Sequence, residues 1–362
     1  MKIITITCHD VYNAGASLQA FALAKYLQNK GHDVQIIDYK PDYLSSHYSL
    51  TRINNPKYDK PIIRILYILA KLPVRLKRMK SRKKIEFDQF KQQYLHCTNK
   101  TYASYEELVS DPPECDVLIA GSDQIWNPLF NNVKDPAFFL RFGDDRIRRI
   151  SYAASFSVDS LSHDDKKRMK EWLKAFDHIS VREQSGMELL RQIGFTGKVV
   201  CDPVFLLSKE EWLQLVDVQN EGKHIFVYDF DHSPVIQNLL STVNDEIVSY
   251  FSMPGVTAVD ESGPINFLRN IATAKLIISN SFHATAFALI FNKPFYVVER
   301  QENLNARLYD LLSSVGLSDR IVRSIHDTEN IKPIEWNRVN HQLKPIINKS
   351  KDYLDTALKE KS

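Results

Sequence analysis

The amino-acid sequence predicts an α/β protein built from two Rossmann-like lobes. Short β-branched runs alternate with longer amphipathic stretches, which is the signature of strand–helix units on mostly parallel sheets. Ten such runs occur, too many for one core, and 362 residues suffice for two domains of ordinary size. A proline and polar residues follow the run at 198–202, placing the boundary near 203–222.

Taken in order, KIITITC (2–8) reads as a strand and AGASLQAFALAKYLQNKG (14–31) as a helix stopped by Gly31. DVQIIDY (33–39), DVLIAGSD (116–123), RISYAASF (149–156), HISVRE (178–183) and KVVCDP (198–203) continue the first set of strands. The second set is HIFVYDF (224–230), EIVSYF (246–251), KLIISN (275–280) and PFYVVE (294–299). The expected division is 1–205 for the first lobe, 206–330 for the second and 331–362 for a helical tail. The helix at 337–360 is expected to pack back on the first lobe.

Composition narrows the class. Apolar content of 44%, charged content of 25% and a net charge of +3 fit a soluble globular protein and give no overall signal for nucleic acid. The cysteines 8, 97, 115 and 201 form no CxxC pair, which argues for reduced structural thiols in the cytoplasm. The N-terminus reads as a strand rather than a signal peptide, and no apolar run reaches ~18 residues. Histidine and acid spacings define no metal site. From Lys60 to Lys84 there are ten basic residues and no acid, beginning with an apolar stretch. This segment, inside an insertion at about 58–95, reads either as a surface for anionic lipid or as a hairpin with a solvated basic face.

Ligands in open α/β sheets bind at the carboxyl ends of strands, which selects a few residues. Asn13 and Gly15 lie between the first strand and helix, as a binding loop or as a capped turn. Asp123 is a candidate base or an Asx turn. Trp126 is a platform for a sugar ring or a core residue. Arg182 is a bidentate anion clamp or the partner of a nearby acid such as Glu183. Arg307 is a second cation of the same kind. His283, with Asn280 and Ser281 just before it, stands at a strand exit beside a helix start, either as a general acid or as a structural histidine.

The ordered motifs Asn13-x-Gly15 before LQAFAL, then GSDQIWNP, SYAASF, ISVRE-x-SG, DPVF and SNSFHATAFAL-x-x-NKPF, resemble the polysaccharide pyruvyl transferase family from about residue 3 to 317. The resemblance implies the two-lobed fold of B-type glycosyltransferases with a cleft between lobes. It also implies transfer of the pyruvyl group of phosphoenolpyruvate to two hydroxyls of a hexose, giving a cyclic ketal and phosphate. The acceptor would be a bacterial surface polysaccharide, such as a capsule or exopolysaccharide, or its lipid-linked precursor. Phosphoenolpyruvate is then the co-substrate, with no further cofactor, no metal and no nucleic acid. Arg182 matches a donor-binding position and His283 the family histidine, while Asp123 is the candidate base. Some members carry an arginine two residues before the histidine, where this chain has Ser281. Arg307 or Lys293 is expected to supply that cation. The implied location is cytoplasmic, with contact to the inner membrane leaflet through 60–84. The competing readings are a nucleotide-sugar glycosyltransferase of the same architecture and a non-catalytic glycan-binding protein.

Overall fold

In the computed structural model, strands β1 (Lys2–Ile6), β2 (Asp33–Tyr39), β3 (Cys97–Tyr102), β4 (Val117–Ala120) and β5 (Arg148–Ser151) form a parallel sheet in the order β3–β2–β1–β4–β5. The structure describes residues 1–362 except 46, 47, 54, 59, 217, 219–221, 223, 302–304, 330 and 360–362. Part of the expected boundary and the last residue of the expected tail helix therefore lie outside the described residues. Two short strands, β6 (Ser180–Val181) and β7 (Lys198–Val199), pair beside the first sheet. A second parallel sheet contains β8 (Ile225–Tyr228), β9 (Ile247–Ser249), β10 (Leu276–Ser279), β11 (Phe295–Val298) and β12 (Ile321–Val322) in the order β12–β11–β10–β8–β9.

The ten strand runs read from sequence are present; 33–39 keeps its full length and the others are shorter. The junction of β5 and β6 shows why. Ser151 and Ser180 bond each other's backbones through their hydroxyls, at 2.8–2.9 Å, in place of ladder bonds. Only isolated bridges join these strands, at Ile150–His178 and Ala154–Val181. The edge strands β3 and β12 are absent from the sequence reading. CTNKTY has the polarity of an edge, and Ile321–Val322 is too short to give a period.

Helix α1 (Ala14–Asn29) starts at Asn13, whose side-chain oxygen accepts from the Ala16 amide at 3.2 Å. It stops where Gly31 takes a φ of 86°. Thirteen of its sixteen residues are buried, because second-lobe elements cover the face turned away from the sheet. A chain of rings runs from Phe21 on α1 through Trp212 to Phe287, with centroids 5.7 and 4.9 Å apart. The Trp212 indole N–H donates to the Val204 carbonyl at 3.0 Å. The two sheets thus share one apolar core.

Helices α2 (Pro61–Met79) and α3 (Arg82–Tyr94) form the basic insertion. The tail helix, Trp336–Lys359, crosses to the first lobe. The Tyr353 hydroxyl donates to the Ser151 carbonyl at 2.9 Å, and the Cys201 amide donates to Ser350 Oγ at 2.8 Å.

At the ends of β1 and β2, His9 and Asp38 form a buried pair. His9 Nδ1 lies 3.3 Å from the Thr7 carbonyl and Nε2 3.3 Å from Asp38 Oδ1. Both ring nitrogens face acceptors, which suits imidazolium. Burial pulls the His9 pKa down, but Asp38 and Cys97 outweigh it and raise it to about 9. His9, Asp38 and Cys97 are the one group among the described residues with metal-ligand proximity. The Lys91 ammonium already bonds Asp38, so the cluster reads as an ion-pair network. A folded-state pKa above the unfolded value of about 6.5 stabilises the fold below that pH. The contribution is lost as pH rises through about 9. We expect the thermal midpoint to fall by on the order of 2–5 °C across this window. In His9→Gln, which cannot titrate, that part of the decline disappears.

Candidate functional site

The loops leaving β6 and β7 meet the start of helix α4 (Phe282–Phe291), and the β4 loop brings Asp123 beside Arg182. This helix follows β10 because Ser281 caps it, accepting from the Ala284 amide at 3.4 Å. It ends at Asn292, which adopts left-handed φ 56°.

One buried carboxylate organises the site. Asp202, after β7, has a fully buried side chain. Its Oδ2 receives Arg182 Nη1 at 2.5 Å, and His283 Nε2 lies 3.4 Å from the same oxygen without hydrogen-bond alignment. Its Oδ1 accepts from the Val204 amide at 3.1 Å. Burial raises the Asp202 pKa, but His283, Arg182 and the Val204 amide outweigh that and hold it well below the usual carboxylate range. Asp202 therefore stays ionised at neutral pH.

Arg182 also lies 3.6 Å from Asp123 through Nη2, too far for a hydrogen bond. Its Nε and Nη2 are buried without partners, as are Arg307 Nε and His283 Nε2. The Arg182 and Arg307 guanidinium groups flank the Phe282 ring, at 4.8 and 5.5 Å from its centroid. Burial lowers the Arg182 pKa, but Asp202, Asp123 and Glu183 more than offset it, and the net shift is upward. Arg307 is pushed down to about 10, first by burial and then by Arg182. Two buried like charges with unpartnered donors leave room for an anion.

Next to these groups is a cavity of about 470 Å³. Arg182, Asp202, Phe282, Arg307, Asp310 and Lys349 are among its lining residues. His283 and Asp123 do not line it, although each lies within 4 Å of a residue that does, at 3.4 and 3.6 Å. Asp310 crosses between lobes to accept from the Gln184 amide at 2.8 Å.

Gly15 sits in the first turn of α1, against the first turn of α4. A Cβ there would come within 2.1 Å of His283 Nδ1 and 2.4 Å of Cγ. The glycine therefore admits the imidazole, where the sequence suggested admission of a ligand. Gly15→Ala should lower the thermal midpoint because the ring must move. The same change in a His283→Ala background should cost little. A thermal-melt double-mutant cycle checks this, and additive effects would contradict it.

The other expected residues fall differently. Asp123 keeps 16% side-chain exposure beside Arg182 and takes a left-handed φ of 68°. Asn13 is the α1 cap. Trp126 is fully buried, stacks on Phe139 and donates its N–H to the Phe138 carbonyl at 3.2 Å. It is a core residue and cannot act as a sugar platform. Asn280 is fully buried, its side chain accepting from the Phe230 amide at 3.0 Å and donating to Asp229 at 2.7 Å. It ties β10 to β8 and is not left to bind substrate. Lys293 follows the far end of α4, about 15 Å of helix away from Ser281. It cannot replace a cation there, whereas Arg307 stands beside Phe282.

Two residues of the site were not singled out from sequence. Asp202 lies in the DPVF motif at a strand exit, so its position gave the signal. Glu183 was considered only as a partner for Arg182. Its buried Oε1 instead accepts from Ser155 Oγ and the amides of Phe156 and Ser157, at 2.7–3.0 Å, and so shapes the loop after β5.

Two parallel-sheet lobes with polar groups converging at strand ends define the architecture of B-type glycosyltransferases and sugar-nucleotide epimerases. A protein of Listeria monocytogenes assigned as a UDP-N-acetylglucosamine 2-epimerase shares this fold at a TM-score of 0.53 and 7% identity, over 99% of this chain and 90% of that one. UDP-GlcNAc 2-epimerases of Neisseria meningitidis and Rickettsia bellii each align at a TM-score of 0.44. They are 11 and 12% identical, over 99 and 98% of this chain and 94 and 98% of theirs. No curated protein matches the chain in sequence. The family model for polysaccharide pyruvyl transferase matches residues 13–302, most of the chain, and the protein belongs to that family.

Proposed function

We propose that the protein transfers the carboxyethylidene unit of phosphoenolpyruvate to two hydroxyls of one hexose, in a bacterial surface polysaccharide or its lipid-linked precursor. The observation that carries this reading is Asp202 bonding Arg182 with His283 Nε2 3.4 Å from the same oxygen, beside unpartnered guanidinium nitrogens. Phosphoenolpyruvate brings a carboxylate and a phosphate, and two arginines offer matching forks. Arg307 then supplies the cation that other family members place at the position of Ser281. The starts of α1 and α4 add favourable dipole ends.

The chemistry needs one proton delivered and two hydroxyls engaged. Protonation at C3 of the enol makes C2 electrophilic. The first hydroxyl attacks C2 and the C2–O bond to phosphate breaks. The second hydroxyl then closes the ketal. Of the two hydroxyl protons, one balances the proton gained at C3 and the other leaves with phosphate. His283 is the proton donor in this scheme, oriented by ionised Asp202. Asp123, the more accessible carboxylate beside Arg182, takes a proton from the attacking hydroxyl.

Fold alone does not separate this from a nucleotide-sugar glycosyltransferase. Phosphate release from phosphoenolpyruvate, measured with and without hexoside and lipid-linked acceptors, tests the proposal. Release that requires the acceptor, with a ketal found in the product, supports it. Consumption of a nucleotide-sugar with no acceptor-dependent phosphate release would overturn it. Arg307→Ala should raise the KM for phosphoenolpyruvate about tenfold or more, through loss of a charge-assisted contact. An unchanged KM would remove Arg307 from the donor site.

A further inference from the structure

Helix α2 turns its apolar stripe outward. Ile62, Ile65, Leu66 and Leu69 are 75, 60, 62 and 58% exposed, and no residue of the helix is buried. Their i, i+3, i+4, i+7 spacing puts them on one face, and Leu76 falls in the same sector. Another face is anchored. Arg75 donates to the Leu50 and Arg52 carbonyls and lies 5.8 Å from the Tyr67 ring, which stacks on Tyr58 at 4.7 Å. An ordinary surface helix buries its apolar stripe, so this one is inverted.

The surrounding charge favours one class of occupant. Ten lysines and arginines lie between 60 and 84 with no acid among them. A second copy of the same segment would bring like charges together. Anionic headgroups would neutralise them while the stripe entered the acyl boundary, with the long basic side chains reaching back to the phosphates. We propose that α2 docks flat in the interface of an anionic lipid bilayer.

The docking element is tied to the site. Ser81 caps α3 immediately after α2. On α3, Asp88 accepts from the Tyr12 hydroxyl at 3.0 Å, and Tyr12 directly precedes the α1 cap. Glu86 accepts from the Gly263 amide at 2.7 Å and Asn266 Nδ2 at 3.1 Å, both in the second lobe. A bilayer bound to α2 therefore holds both lobes in one orientation. Delivery of a lipid-linked acceptor to the site rests on the pyruvyl-transfer reading; bilayer binding does not.

Vesicle flotation of the full chain, without donor or acceptor, tests this. The probes are phosphatidylcholine vesicles and vesicles of phosphatidylcholine with phosphatidylglycerol at two to one. The wild type should float with the anionic vesicles only. Ile65→Asp with Leu69→Asp should lose about tenfold or more of the bound fraction. Lys71→Glu with Lys77→Glu and Arg78→Glu should lose a similar amount. These side chains are exposed, so matching thermal midpoints keep folding out of the result. Failure of the wild type to float, equal flotation with neutral vesicles, or variants that bind like wild type would each overturn the proposal. A wild-type dimer that the Ile65→Asp/Leu69→Asp variant converts to monomer would also overturn it, by assigning the face to a second copy. None of these outcomes depends on phosphoenolpyruvate, so they leave pyruvyl transfer to its own test.

Discussion

His283→Gln should lower kcat by about 10²–10⁴-fold, the usual contribution of a positioned proton donor. Donor affinity should change far less, because Arg182 and Arg307 are untouched. Glutamine fills much of the space that Gly15 leaves for the ring, so the contact between the first turns of α1 and α4 is largely kept. It cannot transfer a proton. Steady-state kinetics separate the parameters: a fall in kcat with a steady KM assigns proton transfer to the imidazole. A variant with wild-type kcat and a lower melting point would make His283 a packing residue.

Arg182→Ala should lose at least about 10³-fold in kcat/KM, on the scale of removing a principal electrostatic donor. It should also lose stability. Asp202 is fully buried, and removing its guanidinium partner leaves an ionised carboxylate with His283 and one backbone amide. Breaking one side of such a pair typically costs ~3–5 kcal/mol. The two losses can be separated. Adding Asp202→Asn removes the stranded charge and should recover much of the melting temperature, while activity stays low. Arg182→Lys keeps a charge but not the fork that bonds Asp202 while turning free N–H groups to the site, and should remain deeply impaired. A stable Arg182→Ala enzyme with near-normal kcat/KM would remove the arginine from the donor site.

The repeated strand–helix pattern made the architecture legible, because the periods of the inner strands were long enough to read and each strand exit marked a place to look. That rule led directly to Arg182 and His283, which the structure brings to one carboxylate oxygen. It could not separate side chains spent on the fold from those left over. Asn280 and Trp126 have the chemistry of binding residues, but burial and hydrogen bonding commit them to the strand tops and the core. Gly15 looked like a ligand approach, and only the tertiary meeting of two helix starts shows that the imidazole occupies the space. Asp202 was within reach, at the exit of an expected strand. The strand proved only two residues long, and its carboxylate acquires meaning from partners 20 and 81 positions away in sequence. The inverted stripe of α2 was half legible. Its charge and apolarity were plain, but which face met the protein depended on Arg75 and Tyr67.

The most direct test of pyruvyl transfer is a calorimetric titration of the wild type and Arg182→Lys with phosphoenolpyruvate, with uridine and guanosine diphosphates as comparison ligands. Saturable binding of phosphoenolpyruvate to the wild type, lost in the variant and not seen with the nucleotides, is the predicted result. Saturable binding of a nucleotide, with no binding of phosphoenolpyruvate in the presence or absence of acceptor glycan, would contradict it.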